Sequence, residues 1–181
     1  MTDSSRSGMA LASLGVGLVH LAVAAGSPLF LAIVLAGFGI AELGWGVATL
    51  ATGRILLPRV ALPLALTPIA LWGLDITAAV AIGGSGLTAS LPFGPMAAAS
   101  LLSLFLAACL AFAQRRSLGP RPEASAPRPV RQLLGMTAGA LLVAGLVTPA
   151  LAGTNAGSQA VPHGEHGTSV VPEPSISHSG H

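Results

Sequence analysis

Lysine and tyrosine are absent from this chain, and asparagine and cysteine occur once each. Aromatic residues make up 4% and charged residues only 8% of the 181 positions. Each shortage excludes something. A single cysteine, Cys109, rules out an internal disulfide framework, and within an apolar run its thiol behaves as a small inert hydrophobe. An average soluble domain is about one-quarter charged, so this chain cannot clothe a folded surface in polar groups. Its solvent must be lipid.

Fingerprints of soluble chemistry are missing as well. No nucleotide-binding glycine motif follows a strand-like segment, and no activated nucleophile accompanies a His and an Asp. A non-enzymatic protein is therefore expected, with the lipid bilayer and other membrane-protein subunits as candidate partners and no nucleic acid among them.

What is present is hydrophobic length. Apolar residues form 52% of the chain, and mean hydropathy is +0.79. A membrane-crossing helix needs about 20 mostly apolar residues. Five runs qualify, at about 8–25, 29–53, 60–82, 93–113 and 133–151. The fold class is all-α: a five-helix transmembrane bundle. A short N-terminus (1–7) precedes it and a disordered extracytoplasmic C-terminal tail (153–181) follows. Pro28 and Pro95 suit first helical turns, where the missing N–H costs nothing. Pro63 and Pro68 fall inside the third span and predict a kink or local irregularity. "GxxxG" occurs at Gly135 to Gly139, the pattern of a helix-packing or dimer face in the fifth span.

Arginine placement orients the bundle. Arg6 precedes the first span, Arg54 and Arg59 lie in the second break, and Arg115, Arg116, Arg121, Arg128 and Arg131 in or beside the fourth. The other breaks and the tail have none. The positive-inside rule then puts the N-terminus in the cytoplasm and the tail outside the cell membrane. "AVA" at 22–24 and "ALA" at 150–152 each follow an apolar stretch, as signal-peptidase sites do. Ala-rich sequences produce such triplets by chance, and both segments are read as retained spans. The weight of Ala, Gly, Pro and Arg, all with GC-rich codons, points to a high-GC bacterial genome.

Three ionisable residues fall inside the spans: His20, Glu42 and Asp75. An acid at a helix centre costs about 2.5–3.5 kcal/mol on insertion scales, so it normally faces the bundle interior and has a partner. His20 shares a helical face with Ser13, Gly17 and Ala24, and Glu42 shares one with Gly39 and Gly46. Small residues at such spacings let helices approach closely. Asp75 shares a bulkier face with Pro68, Leu71, Trp72 and Ala79. At about 1.5 Å per residue, His20 lies roughly 9 Å from the outer surface, Asp75 roughly 10 Å and Glu42 roughly 20 Å. His20 and Asp75 are thus expected to meet, either as part of a metal or proton site or as a packing hydrogen bond, with Glu42 about two turns deeper.

The tail carries the remaining chemistry. Four of the five histidines lie there. His163 and His166 form "HGEH", and His178 and His181 form "HSGH". Two such pairs, with Glu165 as an oxygen donor, supply a ligand set that suits Cu(II) or Zn(II). The alternative is a solvated tail whose histidines are compositional.

The stretch "TPALAGTNAGSQAVPHGEHG" resembles the corresponding region of small, functionally uncharacterised actinobacterial multi-pass membrane proteins with a His-containing C-terminal tail. The resemblance covers that junction and the helix count, and it implies no activity. Three functions follow from the residues: binding or sensing of a transition metal at the outer face, a structural or assembly subunit of a larger membrane complex, and a small proton-coupled transporter using Glu42 and Asp75.

Overall fold

The computed structural model describes residues 3–83, 91–117 and 129–159. Among these residues there are six helices and no strand. They are α1 (Asp3–Ala24), α2 (Leu29–Thr52), α3 (Pro58–Ile82), α4 (Phe93–Ser117), α5 (Pro129–Ala152) and the single turn α6 (Asn155–Ser158). The first five are each long and apolar enough to cross a bilayer, which makes this a multi-pass membrane protein. The apolar runs predict their bounds to within about five residues. The ends differ because flanking residues outside the apolar runs, such as Asp3, Ser117 and Pro129, extend the helices past them.

Helix ends follow local chemistry. Gly53 and Gly83 close α2 and α3 with φ of 62° and 66°, the left-handed conformation that glycine adopts without a Cβ penalty. Between α2 and α3 the turn is tight, and Leu57 is itself left-handed at φ 44°, an uncommon state for a residue with a side chain. Two hydrogen bonds hold it from either side. Trp45 Nε1 donates to the Leu56 carbonyl at 2.7 Å, and Gln114 Nε2 donates to the Pro58 carbonyl at 2.7 Å. Pro58 occupies the first position of α3. α3 runs unbroken through Pro63 and Pro68, so the irregularity expected there does not interrupt the helix.

α1 is the central element, packing against α2, α4, α5 and α6. α3 packs on α4, and although α2 and α3 are consecutive they barely touch. Toward the Gly26 end, Val16, Val19 and Val23 of α1 meet Leu35, Met96, Leu102 and Val147 in one apolar cluster. Toward the Arg6 end, Met9, Ala65, Leu106 and Leu110 form a second. The opposite faces are apolar and exposed: Phe30, Ile33 and Ile40 on α2, Leu74 and Val80 on α3, Leu141 and Leu142 on α5. In a membrane-spanning bundle these are the lipid contacts.

Helical order continues beyond the fifth span, where the sequence suggests an irregular tail from Gly153. Thr154 caps α6, its Oγ1 accepting from the Gly157 N–H at 3.1 Å. Asn155 Nδ2 donates to the Gly26 carbonyl at 3.4 Å. α6 is thereby held against the α1–α2 turn.

Candidate functional site

Gly17 and Gly39 set the distance between α1 and α2. A Cβ on Gly17 would lie 2.8 Å from the Gly39 carbonyl oxygen, and one on Gly39 would lie 2.9 Å from that of Gly17. Gly46 meets the Ala10 carbonyl at a similar 3.0 Å. Backbones this close admit only glycine, and they draw the polar residues of the same two faces together. Ser13 Oγ donates to the Glu42 carbonyl at 2.7 Å. His20 Nδ1 lies 2.7 Å from Glu42 Oε2. Both side chains of that pair are enclosed, His20 at 1% and Glu42 at 5% relative exposure.

This arrangement corrects the pairing expected from depth. His20 binds Glu42, not Asp75, although their Cα atoms lie at different levels. The reason is the lean of helical side chains, whose Cα–Cβ bonds tilt toward the helix N-terminus. α1 and α2 are antiparallel, so that tilt carries His20 and Glu42 toward each other along the membrane normal. Gly17 lies against Gly39 and Leu43, so only about one helical turn separates the two backbones, and the leaning side chains close it. A depth count that stops at Cα cannot register this.

Asp75 lies on α3, away from the pair, and is only half-buried. Its Oδ2 is enclosed and has no hydrogen-bond partner among the described residues. Trp72, one turn before it, packs its ring against Phe93 with centroids 5.6 Å apart. Thr49, on the α1-facing side of α2, likewise has a buried Oγ1 without a partner among the described residues.

A narrow cleft runs beside Glu42. Ala41 and Leu64 form its exposed rim on α2 and α3, while Ser13, Glu42 and Leu106 form its buried floor. It exists because α2 and α3 are joined at the Leu57 turn but not packed along their lengths. A second, largely apolar groove lies between α1 and α5, lined by Gly15, Val143, Val147 and Thr148.

Among the described residues no three His, Cys, Asp or Glu side chains gather as a metal site. The expected tail ligands His163, His166, His178, His181 and Glu165 lie outside the described residues. Gly139 of the Gly135–Gly139 motif faces Gly8 of α1. A Cβ on Gly139 would approach Gly8 Cα only to 3.9 Å, whereas Gly17, Gly39 and Gly46 make the close approaches. Sequence reasoning missed the Ser13 bond to the Glu42 backbone and the Asn155 clamp, since each depends on which helices are neighbours. No family model, curated protein or solved structure matches this chain.

Proposed function

We propose that the chain is a non-enzymatic membrane protein that binds a transition metal through its C-terminal histidines, with the five-helix bundle as their anchor. The docking of α6 on the α1–α2 turn supports this reading, because it starts the tail at the bundle end opposite Arg6, Arg54, Arg115 and Arg116. By the positive-inside rule that end is extracytoplasmic and the N-terminus cytoplasmic. His20 is enclosed and bonded to Glu42, so the capture of an ion rests on His163, His166, His178 and His181, with Glu165 as an oxygen donor. Imidazole ligands suit Cu(II) and Zn(II).

The test is metal content and calorimetric titration of the full-length protein in detergent, compared with a variant carrying alanine at all four tail histidines. Stoichiometric Cu(II) or Zn(II), lost in the variant, supports the reading. Equal, negligible binding by both proteins overturns it.

An assembly subunit is the second reading. The observation favouring it is α3, which among the described helices packs mainly on α4, exposes Leu71, Leu74, Val80 and Ile82, and carries Asp75 Oδ2 with no partner among the described residues. Stoichiometric co-purification of another membrane subunit, lost in Asp75→Leu, would favour it over metal binding. A small proton-coupled transporter ranks third.

A further inference from the structure

The cleft between α2 and α3 reaches a buried acid from the side of the bundle. Its rim, Ala41 and Leu64, lies within the spans, so lipid chains rather than bulk water surround the opening. Glu42 is part of its floor, and its free volume of about 20 Å³ is enough for a single water molecule. The walls offer no competing charge. α3 contributes only Ala61, Leu64 and Ala65, and α4 contributes Leu106, with the Cys109 thiol in the adjoining apolar cluster. From α1 the acid faces the Ser13 backbone bond and the His20 ring. Asp75 is ten residues farther along α3 than Ala65, roughly 15 Å at the helical rise.

We propose that Glu42 is a proton-binding site reached from the lipid-facing cleft between α2 and α3, with His20 as the group that shares its proton. The 2.7 Å contact serves both protonation states of the pair. With the acid ionised, the His20 Nδ1–H donates to Oε2; with the acid protonated, its O–H donates to a bare Nδ1. In the uptake step a protonated water in the cleft gives up one O–H bond, a new O–H bond forms on the Glu42 carboxylate, and neutral water remains. The proposal requires neither a metal on the tail nor a partner subunit.

The experiment is labelling of the full-length protein in lipid nanodiscs with dicyclohexylcarbodiimide, read by peptide mass spectrometry across a pH series. This apolar reagent reacts with protonated carboxyls. The acid O–H adds across one C=N bond, its proton goes to nitrogen, and the protein gains the mass of the whole reagent. The expected result is an adduct on Glu42 whose yield falls several-fold as pH rises, and which is lost in Glu42→Gln. Ala61→Phe, which fills the cleft without touching the acid's hydrogen bond, is expected to reduce labelling several-fold. His20→Gln is expected to shift the pH midpoint, which a purely packing role for His20 would leave in place. Absence of a Glu42 adduct while Asp75 is labelled overturns the proposal. So does a yield independent of pH, or full labelling in Ala61→Phe. The wild-type pH series and Ala61→Phe keep the test decisive if Glu42→Gln does not fold.

Discussion

The α1–α2 hairpin and the α3 helix solve the same problem in opposite ways. Each carries one acid within the membrane span. In the hairpin, glycine contacts bring two backbones together and Glu42 acquires a histidine at 2.7 Å. On α3, Asp75 sits beside Pro68, Leu71 and Trp72, faces that hold a neighbouring helix at side-chain distance, and its Oδ2 has no partner among the described residues. Overall burial does not make the difference: 61% of the apolar window of α1 is buried, but only 22% of that of α2, which carries Glu42, and 17% of that of α3. Small residues decide whether an intramembrane acid can be satisfied, because only close backbones let short side chains meet.

The largest expected effect comes from breaking the hairpin at its narrowest point. Gly17→Val or Gly39→Val places carbon within 3 Å of a backbone carbonyl that cannot move without separating the helices. Overpacking of this kind is expected to cost on the order of 3 kcal/mol, seen as loss of monodisperse protein in detergent. Gly37→Ala on the same helix meets nothing within 4 Å. It should be neutral or raise stability by up to about 1 kcal/mol, since glycine is the poorer helix former.

Removing one partner of the buried pair comes next. His20→Ala leaves Glu42 enclosed without its hydrogen bond, an expected loss of about 1–3 kcal/mol in reversible unfolding. The double replacement His20→Leu/Glu42→Leu should recover much of that loss, because an apolar pair leaves no unsatisfied group. Asp75→Leu sharpens the contrast. With no partner on Oδ2 among the described residues, it should change isolated-protein stability little or increase it, and a loss comparable to that of His20→Ala would refute the distinction between the two acids.

A smaller effect is expected where α3 is tied to the bundle. Gln114→Ala removes the bond to the Pro58 carbonyl beside the left-handed Leu57, at an expected cost of about 1 kcal/mol. Hydrogen exchange should quicken at the start of α3 and stay unchanged at Gly39 and Glu42. Smallest of all is Thr154→Ala, which removes the α6 cap. Its effect, about 1 kcal/mol or less, should be confined to faster exchange at Asn155–Ser158.

Much of the architecture is legible in the sequence. The span lengths follow from apolar runs, since a bilayer requires about 20 such residues whatever their neighbours. The faces were legible too: Ser13, Gly17 and His20 on one helix, Gly39, Glu42 and Gly46 on the next, read from the helical period alone. Those two faces are the ones that meet. The partner of His20 was not legible, because level at Cα is a poor guide when antiparallel side chains lean toward each other. Nor was the α6 clamp, in which a lone Asn reaches a carbonyl 129 positions earlier in the chain.

By itself the sequence determined that the chain lies in lipid, how many times its helices can cross, and which stripe of each helix is small or polar. These are properties of composition and of a fixed helical rise, both local. Only the tertiary structure decided which stripes face each other, that Glu42 rather than Asp75 receives the histidine, and that a cleft remains between α2 and α3. Those outcomes depend on the contact distance between helices, set jointly by residues on both partners and therefore encoded in no single segment.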